Sequence, residues 1–293
     1  MKLFELIGNT PLVELQHIPS RPGVKIYCKL EGQNPGGSVK DRAAFFMIQE
    51  ALRRGNIRRG DNLVEATSGN TGIALAMMAQ LLGVKMTLIM PDNSTRERVV
   101  SMEAYGAEVI LTPAERTIEY SRELAEEMSE KKGYFMLNQF GNEDNLRSHY
   151  LTTGPEIWRD TDGKITHFVS AMGTTGTIMG VSSYLKEKNS NIQIVGTQPT
   201  EGSNIPGIRR WSPAFLPKIY DRNKVDQVVD VSEDDAVGMT RRMAKEEGIL
   251  AGMSSGGALF AALKIAETID SGLIVCIVCD RGDRYLSSDL FGK

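Results

Sequence analysis

The sequence predicts an α/β protein built on mostly parallel sheets, and three observations carry that prediction. Short runs of β-forming residues alternate with amphipathic stretches over nearly the whole chain. Gly83, Gly106, Gly133 and Gly248 each follow an amphipathic stretch, where a left-handed helix cap is wanted. Small polar or glycine-rich turns separate predicted strands from the helices that follow, the alternation expected of parallel sheets covered by helices.

In chain order, a strand at 25–30 leads through the turn Asn34 to Asp41 into a helix at 41–53. A strand at 63–66 leads through Thr67 to Gly72 into a helix at 71–81. Strands at 86–90 and 108–111 alternate with helices at 96–105 and 117–131. A strand at 166–171, the turn Gly173 to Thr177 and a helix at 177–188 repeat the design, followed by a strand at 192–198. The stretch 199–223 is the least regular, and a loop of that length inside a compact chain is more often functional than idle. A strand at 225–231, a helix at 233–247, the turn Met253 to Gly257, a helix at 257–269 and a strand at 273–279 complete the chain. Neither a disordered linker nor a fixed-period repeat is visible, so a domain boundary has to be a compact crossing.

The bulk composition narrows the function classes. The chain has 293 residues, 41% hydrophobic and 24% charged, as expected for one or two packed globular domains. A net charge of −3 argues against nucleic acid as the main partner, while leaving room for a small anion at a local site. The N-terminus lacks a signal-peptide run, and the most apolar stretch, 273–279, is far shorter than the ~20 residues that span a bilayer. With three cysteines, the expected compartment is the cytoplasm and no membrane partner is expected. Cys276 and Cys279 have C-x-x-C spacing, but in a strand residues three apart point to opposite faces, so these thiols are not expected to meet. His17, His149 and His167 have no ligand spacing, and no metal site is expected.

The turns carry the chemistry. Helix N-termini offer unpaired N–H groups and the positive end of the helix dipole, so each can hold an anion. Ser38 to Asp41 matches a capping box, which by itself reads as a helix start. Lys40 sits inside it, in a first turn whose dipole disfavours an ammonium by ~0.3–1 kcal/mol and so favours the neutral amine of a nucleophile or base. Gly173-Thr-Thr-Gly-Thr177 lacks both the G-x-G-x-x-G dinucleotide fingerprint and the P-loop Gly-Lys-Ser/Thr, and the strand at 192–198 has no terminal acid for a ribose. A nucleotide-binding dehydrogenase is thereby disfavoured. What remains is a hydroxyl-rich turn suited to a terminal phosphate.

Together, Asn34-Pro-Gly-Gly-Ser-Val-Lys-Asp-Arg42, Thr67-Ser-Gly-Asn-Thr-Gly72, Gly173-Thr-Thr-Gly-Thr177 and Ser254-Ser-Gly-Gly257 stand in the order and spacing of the cysteine synthase family. The resemblance runs from Ile7 to Ser287. It implies the tryptophan-synthase-β-like fold type II of pyridoxal-5′-phosphate (PLP) enzymes: two interleaved α/β domains, a smaller one at 35–145 and a larger one combining 12–34 with 146–293, the cofactor between them, and a homodimer. By the same resemblance, Lys40 bonds the cofactor aldehyde, Asn70 meets its ring 3-oxygen, Gly173, Thr174, Thr175, Gly176 and Thr177 cradle its phosphate, and Ser254 faces the pyridine nitrogen. Thr67, Ser68, Asn70, Thr71 and Gln139 resemble the residues that close on the substrate carboxylate. A neutral Ser254 hydroxyl does not hold the ring protonated, which suits elimination better than a long-lived carbanion.

Several details resemble the B type of the family: the second threonine of the phosphate turn, Ile205-Pro-Gly-Ile-Arg-Arg-Trp211, and Cys279-Asp-Arg-Gly-Asp-Arg-Tyr-Leu286. The implied reaction joins O-acetylserine to sulfide or thiosulfate, and Arg209 and Arg210 offer guanidinium groups suited to a sulfonate. Paired arginines beside a tryptophan also stack and solvate loops. Cys279 reads as a small pocket wall, since no histidine base lies near it in sequence. The competing readings are an O-phosphoserine-using, cystathionine β-synthase-like or serine dehydratase-like relative, and a non-catalytic binding protein of the same fold.

Overall fold

The computed structural model describes residues 1–67 and 69–292. In chain order its elements are β1 (Leu12–Glu14), β2 (Val24–Leu30), α1 (Lys40–Arg53), β3 (Asn62–Ala66), α2 (Asn70–Leu82), β4 (Lys85–Pro91), α3 (Arg96–Ala104), β5 (Glu108–Thr112), α4 (Thr117–Lys131) and β6 (Phe135–Met136). There follow α5 (Glu143–Ser148), a π-helical turn (His149–Thr153), α6 (Gly154–Asp160), β7 (His167–Ala171), α7 (Gly176–Lys188), β8 (Gln193–Pro199), β9 (Gln227–Val231), α8 (Glu233–Glu247), α9 (Met253–Ala266) and β10 (Gly272–Val278).

These strands form two sheets. One has the order β1-β2-β10-β7-β8-β9 and is parallel except for the edge strand β1; the other, β5-β4-β3-β6, is parallel throughout. β10 lies between β2 and β7, and Ile274 to Val278 are all buried, the continuous apolar run that a doubly covered parallel strand needs. α8 turns Ala236, Met239, Thr240 and Met243 inward at i, i+3, i+4 and i+7. Ser232 Oγ caps its N-terminus by accepting from Asp235 N at 3.1 Å, and Gly248 closes it at φ 69°.

The structure changes two local expectations. Met253 to Gly257 is not a turn but the opening of α9. Its glycines serve helix packing: a methyl group on Gly256 would collide with Thr240 Oγ1 and the Ala236 carbonyl of α8. Nor does Ser38 to Asp41 form a capping box, because α1 starts later, with Val39 at its N-cap. The Asp41 carboxylate instead accepts from Gly36 N at 2.5 Å, while Ser38 Oγ accepts from Lys40 N at 3.3 Å.

Arg42, fully buried, fixes the start of α1. Its Nε donates to Glu31 Oε2 at 2.7 Å, just beyond β2, and its Nη1 donates to Glu156 Oε1 at 2.7 Å, on α6. Buried Lys29 joins the same group, 2.9 Å from Glu156 and 3.3 Å from Asp160. Burial pushes the Glu156 carboxyl upward, but the hydrogen bond and charge of Arg42, with Lys29, outweigh it and hold it at about 2. Removing the guanidinium leaves two buried carboxylates facing each other. Arg42→Met is therefore expected to cost about 3–5 kcal/mol of stability in denaturant unfolding.

Candidate active site

The four segments singled out in the sequence converge on one cavity of about 920 Å³, whose walls include Lys40, Asn70, Thr174, Ser254 and Cys279. The convergence follows from topology. Thr67, Gly69 and Asn70 follow β3, Gly173 to Thr175 follow β7 and Cys279 follows β10, so these residues stand at the carboxyl edges of parallel strands, where crevices form. Lys40 is the first residue of α1 and is half-buried.

The threonine turn is shaped by close contacts. A methyl group on Gly173 would stand 2.6 Å from the Gly207 carbonyl, and one on Gly176 would collide with Asn145 Oδ1. Thr175 adopts φ 67°, the left-handed region that threonine rarely enters, at the N-cap of α7. Its hydroxyl is buried with no hydrogen-bond partner among the described residues. Thr174 Oγ1 accepts from Asn145 Nδ2 at 3.1 Å, and Thr177 Oγ1 lies 3.3 Å from His149 Nε2. The other ring nitrogen of His149 lies 2.8 Å from Thr153 Oγ1. Burial, with the charges of Arg42 and Lys40, pushes His149 down to about 3.

Across the cavity, Thr67 and Thr71 are buried, and Thr71 Oγ1 donates to Gln139 Oε1 at 2.9 Å. Ser68 lies outside the described residues. The Glu65 carboxylate accepts from Asn138 N at 2.9 Å and Gln139 N at 3.3 Å, which sets Gln139 toward Thr71. Burial raises Glu65 to about 7 against the pull of those N–H groups. Asn70 Nδ2 donates to Asp280 Oδ2 at 2.7 Å.

Ser254 is buried in the first turn of α9, beside half-buried Cys279. Burial pushes the Cys279 thiol up to about 11, although the Lys40 charge and a Ser254 hydrogen bond pull the other way. A neutral thiol is a wall rather than a nucleophile. Cys276 faces elsewhere, 3.6 Å from Cys28 Sγ on β2, so the C-x-x-C spacing brings no thiol pair together. The irregular 199–223 stretch folds over the cavity: Arg209 N donates to Met172 O at 2.9 Å and Trp211 Nε1 to Gly173 O at 2.9 Å. Arg209 lies 5.5 Å from the Trp211 ring centre. Arg210 also lines the cavity but is held at its rim, 2.5 Å from Asp230 and with Nε on Pro199 O at 2.9 Å.

The profile of the family described as "Pyridoxal-phosphate dependent enzyme" matches residues 3–280. The chain belongs to this family of pyridoxal-phosphate-dependent enzymes. It is 58% identical to cysteine synthase B of Pseudomonas aeruginosa, over 98% of this chain and 96% of that one. The crystal structure of a cysteine synthase from Entamoeba histolytica superimposes with a TM-score of 0.93 at 41% identity, covering 100% of this chain and 90% of that one. That of an O-ureido-L-serine synthase gives 0.93 at 37%, covering 99% and 94%.

The cavity fits pyridoxal phosphate. The orphaned Thr175 hydroxyl, the strained N-cap and the first turn of the 13-residue α7 form an anion cradle, and an amine and a buried hydroxyl share the same chamber. Sequence reasoning missed Glu65, Asn145, His149 and Asp280. Asn142 followed by Glu143 and Asp144 was a readable N-cap for α5, and Asn142 Oδ1 does accept from Asp144 N at 3.0 Å.

His149 makes stability pH-dependent. Its folded value, about 3, lies below the 6.5 of a free imidazole, so below pH 6.5 the unfolded chain binds a proton that the folded chain refuses. Each pH unit from there down to the folded value removes about 1.4 kcal/mol. His149→Gln is expected to flatten that part of the acid limb, read as unfolding midpoints at pH 7 and pH 5.

Proposed function

We propose that the chain catalyses β-replacement on O-acetyl-L-serine, joining sulfide or thiosulfate to the β-carbon and releasing acetate, with L-cysteine or S-sulfo-L-cysteine as product. The observation that carries this reading is the single chamber in which the Lys40 amine, the threonine turn, Asn70 and Ser254 meet. The similarity to cysteine synthase B of Pseudomonas aeruginosa supports the choice of substrates.

In this reading Gly173 to Thr177 hold the phosphate through N–H groups and hydroxyls, Lys40 forms the covalent link, Asn70 meets the ring 3-oxygen and Ser254 the ring nitrogen. When bound, pyridoxal phosphate supplies the electron sink that lets the α C–H and β C–O bonds break. Thr67, Ser68, Asn70, Thr71 and Gln139 bind the substrate carboxylate. The Lys40 amine, freed when the substrate's amine takes its place in that link, would take the α-proton, and acetate would leave with the electron pair of the C–O bond. After sulfur bonds to the β-carbon, Lys40 returns a proton to Cα. Cys279 stays neutral and shapes the space beside the incoming sulfur.

Arg209 is the guanidinium best suited to the sulfonate end of thiosulfate: burial lowers its pKa, Glu119 offsets this only in part and Arg122 adds like charge, so an anion there relieves the remainder. Arg210, already neutralised by Asp230, contributes less to such a clamp. We also propose that 35–145, which holds the four-stranded sheet, moves as a unit over bound substrate, that the enzyme is a homodimer, and that it works in the cytoplasm, in keeping with its three free cysteines.

Three measurements test this. Lys40→Ala is expected to abolish turnover and the cofactor's imine absorption; undiminished activity would remove the central assignment. The two half-reactions call for parallel lines in double-reciprocal plots. In competition between donors, Arg209→Ala is expected to raise the KM for thiosulfate about tenfold more than that for sulfide, the loss of one charge-assisted contact. Equal effects on both donors would sink the clamp.

A further inference from the structure

We propose that Asp280 and Arg284 are positioning residues that lock the Asn70 side-chain amide in one orientation, so that it meets the cofactor's ring oxygen only as a hydrogen-bond donor. The inference rests on the reading that places Asn70 beside that oxygen. It also gives a role to the segment following β10, which the proposed chemistry otherwise leaves idle beyond Cys279.

Asn70 begins α2, on the four-stranded sheet, whereas both holders follow β10 of the other sheet. Asn70 Nδ2 donates to Asp280 Oδ2 at 2.7 Å, and Arg284 Nη1 donates to Asn70 Oδ1 at 2.5 Å. A carboxylate only accepts and a guanidinium only donates. Turning the amide over would set its oxygen against the carboxylate and its NH₂ against the guanidinium, and both contacts would become repulsive. The side chain is held at both ends by opposite charges.

The holders are themselves fixed. Asp280 is buried, and its Oδ1 accepts from Gly252 N at 3.1 Å while Oδ2 also accepts from Tyr285 Oη at 2.6 Å. Ser38 pairs with Asp280 across an isolated antiparallel bridge, two residues before Lys40. Arg284 Nη2 donates to the Gly36 carbonyl in the loop leading to α1. Gly36 N in turn donates to Asp41, so the loop that presents Lys40 and the amide that meets the ring share one frame.

The hydrogen-bonding account of Asn70 is then nearly closed. Arg284 takes one lone pair of its carbonyl and holds that end away from the amide's free N–H, Asp280 takes the other N–H, and one N–H is left for the cavity that it lines. A donor aimed at the ring 3-oxygen favours the deprotonated form of that oxygen, which sets the colour of the bound cofactor.

The test is a double-mutant cycle on the purified holoenzyme, read by the absorption and fluorescence of bound cofactor across pH and by its dissociation constant. Asp280→Asn and Arg284→Lys are each expected to shift the absorption band in the direction of Asn70→Ala and to weaken cofactor retention about tenfold, the scale of a charge-assisted hydrogen bond. In the Asn70→Ala background neither should shift the band further. Parent-like spectra in both holder variants, beside a shifted Asn70→Ala, would overturn the inference. So would a shift of undiminished size in the Asn70→Ala background, which marks a general structural effect. An unshifted Asn70→Ala would instead remove the Asn70 assignment itself, a failure readable apart from that of the holders. Should Asp280→Asn not fold, the Arg284→Lys arm carries the same cycle.

Discussion

Arg42 is the constraint on which the catalytic geometry depends. It stands two residues after Lys40, on the first turn of α1, and its guanidinium is shared between Glu31 beyond β2 and Glu156 on α6. Helix start, strand end and a distant helix are thereby fixed at one point in the interior. A buried ion pair of this kind contributes little net stability compared with an apolar substitute, but it tolerates only one arrangement. That arrangement points the Lys40 end of α1 toward the cavity. The positioning of the Lys40 amine, to which we assign the chemistry, thus follows from a group with no hydrogen bond to it.

The electrostatics of the cavity follow from burial. His149 is held neutral by desolvation and by nearby cations, so behind the threonine turn it offers a hydrogen-bonding ring and no charge. Cys279 is held neutral because its thiolate would be buried. In the proposed cradle, negative charge on a phosphate would be met by N–H groups, hydroxyls and a helix terminus, held in place by Asn145 and by glycines that leave no room for a side chain. Donors of this sort need no reorientation when charge develops nearby.

Much of this was legible in the sequence, because the strongest signals are local. The apolar run at 273–279 reads as a doubly covered strand and is β10; the i, i+3, i+4, i+7 pattern after Ser232 reads as a helix and is α8. The order of the four turns carried the family and the cofactor. What was not legible depends on partners far along the chain. β1 and β6, of three and two residues, exist only because β2 and β3 offer them an edge. The glycines of 253–257 looked like a turn, since a sequence does not reveal that Thr240 and Ala236 press on Gly256. Glu65 read as one more residue of a strand, yet buried, it holds the N–H groups of Asn138 and Gln139. Ser38 to Asp41 fitted a capping box by spacing, but Gly36 offers Asp41 a closer donor.

The 205–211 segment is tied to the threonine turn, so in the proposed reaction the choice of sulfur donor would be coupled to the cofactor site. Trp211 bonds the Gly173 carbonyl and packs edge-on to Phe140 at 5.5 Å, while Arg209 bonds Met172, one residue before Gly173. The chain that carries the guanidinium is therefore pinned to the threonine turn on one side, and its tryptophan meets Phe140, in the turn beside Gln139, on the other. Displacing Trp211 would release Arg209 together with the lid over the cavity. Arg210, bound to Asp230 and the Pro199 carbonyl, anchors the outer end of the same segment to β9 and β8. One arginine fixes the segment, and that leaves its neighbour lining the cavity, where the proposed reaction would admit an anionic sulfur donor.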